Sequence, residues 1–255
     1  MNTEHVALSI VIPCYNEAKN ITTVIQMLEK LIEQHPANIE VLVIDGGSDD
    51  QTPQELKSLF QTLCPKHFKL LLQTHRGGYG ADIMQALSQA QGEVLAWTHA
   101  DLQTDPQDIL TAFDLYMKNM HKDQPCIIKG DRKNRQWLEA FFTWGMQCIT
   151  YGVLGTYLSD INAQPKLFSR HFYTTHLKKN HPDDFSLDLF LLYQAKKHGY
   201  RIENIPVIFK KRQHGIAKGG GGGWSARLKL IKRTWRYIIA LKAHTGEHCP
   251  HNHQG

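Results

Sequence analysis

The sequence has few cysteines, no long apolar run and no phosphate-binding lysine loop. Its five cysteines (Cys14, Cys64, Cys126, Cys148 and Cys249) are an odd number, and no two lie within three residues of each other. That spacing excludes a disulfide framework and a Cys-x-x-Cys zinc site, and it fits a reducing cytoplasm. No stretch reaches the ~18 clean apolar residues that a membrane span needs. The nearest, Phe141–Leu158, is interrupted by Gln147, Gly145, Gly152, Gly155 and three threonines. Met1-Asn2-Thr3-Glu4-His5 has no basic residue of the kind that opens a signal peptide, and the apolar run behind it ends at Pro13. A soluble or peripheral protein is expected. The run Gly219–Gly223 carries no Walker pattern and reads as a linker or lid hinge. Gly78-Tyr79-Gly80 lacks the third glycine of a dinucleotide fingerprint, Ile83 standing in its place, and no acid follows at the expected distance. A nicotinamide cofactor is therefore not expected. No internal repeat is visible.

What is present is ordinary globular material. The chain has 255 residues, 42% apolar and 21% charged. That is enough for one large core with a small appendage, and it excludes disordered and collagen-like classes. The net charge of +5 is unevenly spread: Lys196 to Arg236 holds twelve basic residues and one acid, Glu203. A basic segment of this kind implies an anionic partner such as phosphate, nucleic acid or a membrane surface. No nucleic-acid module accompanies the charge, so nucleic acid is not expected.

The first half alternates strand and helix signals. Leu8–Pro13, Ile39–Ile44, Phe68–Leu72 and Glu93–Thr98 are short apolar or β-branched runs. Between them Ile21, Val24, Ile25, Leu28, Leu31 and Ile32 recur at helical spacing, as do Leu56, Leu59, Phe60 and Leu63 behind Pro53. A further helix follows Gly80, and Pro106 opens another. This β-α-β-α order predicts an α/β fold with a doubly wound, mostly parallel sheet. In the second half, Cys126–Gly130 and Arg201–Phe209 read as strands, and Trp137–Leu158 and Leu187–His198 as helices. A basic helix over Ser225–Lys242 mixes Arg and Lys with Leu, Ile and Trp, a pattern that suits packing on the body with contact to an anionic membrane interface. The expected division is a catalytic domain over 1–218, a glycine linker and basic helix over 219–243, and a flexible His-rich tail over 244–255.

In open α/β sheets, ligands bind outside the carboxyl ends of the strands. Three polar clusters fall there: Tyr15-Asn16-Glu17, Asp45 to Asp50, and His99 to Asp105. Each alone could be a polar turn or cap. Three at successive strand ends point to a site. Asp101 and Gln103 supply two oxygen ligands one residue apart, an arrangement that can hold one hard cation, Mg2+ or Mn2+, and leave positions open for substrate phosphates.

Val11-Ile12-Pro13-Cys14-Tyr15-Asn16-Glu17, Val43-Ile44-Asp45-Gly46-Gly47-Ser48-Asp49-Asp50 and Ala100-Asp101-Leu102-Gln103 resemble the successive motifs of family-2, GT-A-fold glycosyltransferases. The subgroup most resembled is that of dolichyl-phosphate mannose synthase and the polyprenyl-phosphate glycosyltransferases. The likeness continues in Gly130-Asp131-Arg132, in Ile205-Pro206-Val207-Ile208-Phe209, and in Arg212, Gly215 and Lys218. It implies a Rossmann-like GT-A domain that moves a sugar from a nucleotide-sugar donor with metal help and inversion. It assigns Pro13, Tyr15, Glu17 and Asp45 to the nucleotide pocket, with Gly78 and Gly80 giving the donor room. Asp101 and Gln103 would hold the metal and diphosphate, and Arg132, Arg212 and Lys218 the phosphates of acceptor or donor. The chain departs from the subgroup at His99, Gly46 and Asp131, which stand where it has an acid, a second acid and a serine.

The resulting expectation is metal-dependent, inverting transfer from a UDP- or GDP-linked donor to a polyprenyl phosphate at the cytoplasmic membrane face. If the acceptor were a glycan hydroxyl, a base would be required, and Asp188 is the candidate. Its place at a helix start equally suits an acid favoured by the macrodipole. A nucleotide-sugar-binding module without turnover is the non-enzymatic alternative.

Overall fold

The computed structural model describes residues 5–63, 67–120, 125–133, 147, 150–210 and 235–242. By its internal contacts the chain divides into two units, Met1–Asn134 with Asp160–Gly215, and Arg135–Ser159 with Ile216–Gly255.

The first unit is built on seven strands: β1 (Leu8–Cys14), β2 (Ile39–Asp45), β3 (Phe68–Leu72), β4 (Val94–Trp97), β5 (Cys126–Arg132), β6 (Lys166–Ser169) and β7 (Arg201–Val207). Among the described residues the longer helices between them are α1 (Ile21–Glu33), α2 (Thr52–Leu63), α3 (Tyr79–Gln89), α4 (Gln107–Asn119) and α5 (Leu187–Lys197), with a short helical stretch over Arg170–Phe172 and Tyr173–Leu177 after β6. The strand order is β3-β2-β1-β4-β6-β5-β7. β1 pairs in parallel with β2 and β4, β2 with β3, and β5 with β7; only β6 runs against its neighbours β4 and β5.

The reason lies in the burial pattern. Every residue of β2 is buried, and every residue of β1 except Pro13 is nearly so. Strands covered on both faces are mostly apolar, which is why these read as apolar runs and pair in parallel; the buried Ser9 and Glu40 within them bond to each other at 2.6 Å. α1 buries Ile21, Val24, Ile25, Leu28 and Ile32, a single stripe that packs it onto the sheet. Each such side chain taken out of water stabilises the fold by ~1.5–3 kcal/mol.

The chain winds outward from β1 to β3 and then returns to place β4 on the other side of β1. This reversal opens a crevice at the carboxyl ends of β1 and β4, where loops from β1, β2 and β4 meet. In the second unit, residues 150–154 and 235–242 are helical. The helix expected over 137–158 ends at 154: Gly155 turns to φ 67° and 156–158 are not helical. The rest of that helix before 150 except residue 147, residues 225–234, the boundary at Lys218 and the tail lie outside the described residues.

β6 had no strand signal of its own. It is four residues long, follows Pro165 and opens with a lysine. Lys166 is fully buried and sits opposite Lys129 of β5, also buried, in the β5–β6 register. Two buried lysines do not read as sheet interior, which is why the sequence concealed this strand.

Candidate active site

The loops after β1 and β2 are fastened to each other. Cys14 and Asp45 are register partners at the strand ends, and the Gly46 amide donates to the Cys14 carbonyl at 2.9 Å. Beyond them, the Asn16 amide donates to Ser48 Oγ at 2.8 Å and the Glu17 amide to Thr52 Oγ1 at 2.9 Å. Asn16 and Asp49 join through a reciprocal pair of bonds, and Asn16 adopts φ 57°, a left-handed conformation that asparagine tolerates. Asp45 is 1% exposed, and its two oxygens accept the hydroxyl of Ser48 at 2.5 Å and the Ser48 amide at 3.2 Å. The Arg76 guanidinium covers the Tyr15 ring at 4.4 Å. Pro13, Tyr15, Glu17 and Asp45 thus lie together at the ends of two adjacent strands.

The loop after β4 adds the third group. Asp101 is 7% exposed, and its Oδ1 accepts the Gln103 amide at 3.1 Å. The intervening Leu102 has φ 57°, so the loop turns sharply between the two candidate ligands. Gln103 is anchored by the chain after β7: its Nε2 donates to the Lys210 carbonyl at 3.3 Å, and the Lys210 amide donates to its carbonyl at 2.7 Å. With the amide nitrogen engaged, Gln103 Oε1 is the atom suited to a cation. No group of three or more His, Cys, Asp and Glu side chains among the described residues could hold a metal. Asp101 and Gln103 nevertheless fit Mg2+ or Mn2+, which bind through one or two protein oxygens and take further ligands from substrate phosphates.

Asp188 belongs to a different environment. It is 1% exposed, and four donors converge on it: Trp97 Nε1 at 3.3 Å, Gln164 Nε2 at 3.1 Å and Lys166 Nζ at 3.3 Å on Oδ1, and the Tyr79 hydroxyl at 3.5 Å on Oδ2. Burial pulls the Lys166 ammonium down from its ordinary value, and the charge of Asp188 opposes the shift. Tyr79 stacks on Phe185 at 4.5 Å and meets His99 Nε2 at 3.1 Å. Burial first, then Asp188, pushes the Tyr79 hydroxyl well above its ordinary value, so it stays protonated. His99 Nδ1 lies 4.0 Å from Asp101 Oδ2. A line of polar contacts therefore runs from Asp188 through Tyr79 and His99 to Asp101.

Two expectations meet a different arrangement. A Cβ at Gly78 or Gly80 would run into the backbone carbonyls of Asp183 and Pro182, and the Gly80 amide donates to the Asp183 carbonyl at 2.9 Å. The space on the side-chain side of these glycines is filled by the protein's own chain; Gly78, at φ +114°, also makes a turn that side chains resist. Arg132 is clamped by Asp160, its Nε 3.0 Å and 3.2 Å from the two carboxylate oxygens and its terminal nitrogen 2.6 Å from Oδ1. Its charge is balanced there before any phosphate arrives. Arg212 and Lys218 lie outside the described residues. Sequence reasoning passed over Tyr79, Trp97, Gln164 and Lys166. Their only signal was the aromatic residue between two glycines; the rest come together from separate strands and loops.

Comparison with known proteins places this geometry in a class. The fold resembles that of a mannosyltransferase from Pyrobaculum calidifontis solved with GDP-Man and Mn2+, with a TM-score of 0.61 at 20% identity over 93% of this chain and 65% of that one. It also resembles glucosyl-3-phosphoglycerate synthase from Mycobacterium tuberculosis in complex with Mn2+, UDP and phosphoglyceric acid, with a TM-score of 0.66 at 15% identity over 97% and 80% of the two chains. The fold is thus a GT-A-like α/β domain. The model of the family named glycosyl transferase family 2 matches residues 9–178, more than half of the chain, and the chain belongs to that family. Among its relatives are the undecaprenyl-phosphate 4-deoxy-4-formamido-L-arabinose transferase of Aeromonas hydrophila, 25% identical over 86% of this chain and 64% of that protein, and the dolichyl-phosphate beta-glucosyltransferase of Dictyostelium discoideum, 21% identical over 93% and 77%. The chain spans less than two thirds of the Aeromonas protein's length.

Proposed function

We propose that the protein transfers a sugar from a UDP- or GDP-linked donor to a polyprenyl phosphate, with inversion and with a Mg2+ or Mn2+ ion. The observation that carries this reading is the convergence of Tyr15, Asp45 and Asp101 at the carboxyl ends of three neighbouring strands, β1, β2 and β4. The relatives named for undecaprenyl and dolichyl phosphate support the acceptor class, and the neighbours solved with Mn2+ and guanosine or uridine diphosphates support the donor class.

In the reaction a phosphate oxygen of the acceptor attacks the anomeric carbon from the face opposite the nucleotide. The bond from that carbon to the diphosphate oxygen breaks, and the nucleoside diphosphate leaves with the electron pair. Bound at Asp101 and Gln103, a divalent cation would offset the charge gathering on that leaving group. Tyr15, Arg76 and Asp45 hold the nucleoside end. Fixing both reactants removes most of the entropic barrier, so positioning carries the catalysis.

The setting of Asp188 supports an anionic acceptor. A general base must reach the proton that it takes. Asp188 is buried, and its oxygens already receive Trp97, Gln164, Lys166 and Tyr79. This supports a role in positioning Tyr79 and favours an acceptor that is anionic from the outset, over a glycan hydroxyl. Trp235 and Ile239 are exposed beside Arg236 on the helix over 235–242, which supports contact with an anionic membrane face.

The test is transfer from UDP- and GDP-sugars to undecaprenyl phosphate by the full chain, with Mn2+, Mg2+ or EDTA. Product is expected only with the cation, and Asp101→Ala should lower kcat ~10²–10³-fold, the usual effect of removing one group that stabilises transition-state charge. Asp188→Asn should retain transfer to the lipid phosphate if it stays folded. Metal-independent turnover, or none with any donor, would overturn the reading.

A further inference from the structure

Gly46 follows Asp45 directly, and the structure shows what fills the place of its missing side chain. A Cβ at position 46 would overlap Oδ2 of Asp82, in the first turn of α3, and would stand 3.0 Å from its Cγ. An acid reached from the helix occupies the space that an acid on the strand end would need. A side chain at position 46 would have to displace the Asp82 carboxyl from its present place.

The Asp82 carboxyl is also in an unusual condition. It is 5% exposed, and its Oδ1 is buried with no hydrogen-bond partner. Leaving a buried acceptor unpaired is costly, and natural folds seldom do so without a use for the group. Its charged neighbours are Asp45 at the end of β2 and the Arg76 guanidinium from the loop before α3; the Cys14 thiol at the end of β1, pushed up by burial, is neutral. Arg76 is the residue that covers Tyr15. Asp82 thus stands among the groups assigned to the nucleoside, and not among those near Asp101. Burial, then repulsion from Asp45, pushes it up to about 6, with Arg76 drawing it down. It is therefore ionised at neutral pH.

We propose that Asp82 is a base-reading residue of the donor pocket, and that its unpaired carboxylate oxygen accepts the ring N–H of a nucleobase. This rests on the reading of Tyr15, Asp45 and Asp101 as a nucleotide-sugar site. An acceptor aimed at a ring nitrogen selects bases that carry a proton there. Uracil and guanine do, at N3 and N1. Cytosine and adenine present an unprotonated nitrogen at the corresponding edge and would meet the carboxylate lone pair to lone pair. The selection therefore admits uridine and guanosine diphosphates and rejects those of cytidine and adenosine.

The test is calorimetric titration of UDP, GDP, CDP and ADP, each with Mn2+, into the full chain at pH 7.5. Wild type should bind UDP, GDP or both at least about ten-fold more tightly than CDP and ADP. Asp82→Ala should lose about ten-fold for the preferred nucleotide and leave CDP and ADP unchanged. Asp82→Asn, which keeps the size and one acceptor oxygen, should fall between them and guards against misfolding of the alanine variant. Gly46→Asp combined with Asp82→Gly returns a carboxylate to the strand end and should recover part of the selectivity, whereas Gly46→Asp alone displaces the Asp82 carboxyl. If wild type binds no diphosphate, the donor-site reading itself fails. If it binds all four alike, or if Asp82→Ala weakens all four equally, the donor site stands and the role of Asp82 is overturned.

Discussion

Near the candidate site buried acids are treated in two opposite ways, whereas at the far end of β2 the buried Glu40 is paired with Lys69 at 2.6 Å. On the β4–β6–β5 side two buried carboxylates have a cation against them: Asp188 has Lys166 at 3.3 Å, and Asp160 has Arg132 at 2.6 Å. On the β1–β2 side Asp45 is held only by the hydroxyl and amide of Ser48, and Asp82 leaves an oxygen unpaired. Among the described residues no ion pair reaches either. A balanced pair makes a rigid floor, because removing either partner strands the other. Unbalanced acid is costly to keep, and it is justified where a donor from outside completes it. The difference separates framework from binding surface more sharply than burial does, since Asp45 and Asp188 are equally buried.

The largest expected effect is on the framework side. Lys166→Met leaves Asp188 buried without its cation, and breaking a buried pair in this way costs ~3–5 kcal/mol. Urea unfolding should register a loss of that size. Lys166→Met with Asp188→Leu should recover much of it, because no charge is then left stranded. A single variant that loses less than ~1 kcal/mol would erase the contrast between the two sides.

That contrast also marks how far the sequence could be read. The strands β1, β2 and β3 were legible because apolar runs bounded by turn residues admit few other meanings. The three strand-end clusters were legible for the same reason: the topology of a doubly wound sheet dictates where polar loops gather. β6 was hidden, because a strand that buries Lys166 opposite Lys129 contradicts the pattern by which strands are recognised. The environment of Asp188 was hidden as well. Trp97, Gln164 and Lys166 reach it from β4, from the loop before β6 and from β6 itself, and no spacing in the chain announces that meeting. Asp82 was missed because an acid in a first helical turn has an ordinary explanation in the macrodipole. Only the clash with a Cβ at Gly46 reveals its other setting.

A smaller effect should appear on the line that joins the two sides. Tyr79→Phe removes the hydroxyl that meets His99 Nε2 at 3.1 Å, Gln164 Nε2 at 3.3 Å and Asp188 Oδ2 at 3.5 Å. The ring stays stacked on Phe185, so the cost is that of the lost hydrogen bonds, ~1–2 kcal/mol. If Tyr79 transmits the position of Asp188 to His99, kcat should fall while the KM for the donor stays constant. An equal change in both would mean that the hydroxyl supports only the local packing.

The smallest effect has a sign that distinguishes a binding acid from a framework acid. Asp82 in the folded protein is raised to about 6 from an ordinary value of 3.8. The folded state thus holds this proton more tightly than the unfolded state. Below pH ~4 both states are protonated and Asp82 is neutral in either, so it exerts no penalty. As pH rises through 6, the folded protein must carry the charge beside Asp45 with only Arg76 to relieve it, and stability is lost. Asp82→Asn removes the charge and should melt at the same temperature as wild type near pH 4. Above pH 7 it should melt higher by ~2–4 °C, the shift that about 1 kcal/mol produces in a domain of this size. Lys166→Met should melt lower than wild type at pH 7 and above, because it takes the cation away from the buried Asp188. A binding acid replaced at a gain in stability, beside a framework cation replaced at a loss, would establish that the β1–β2 side retains its charge for a ligand. If Asp82→Asn instead lowers the melting temperature above pH 7, Asp82 is part of the framework, and the division of the sheet has to be redrawn between Asp45 and Asp82.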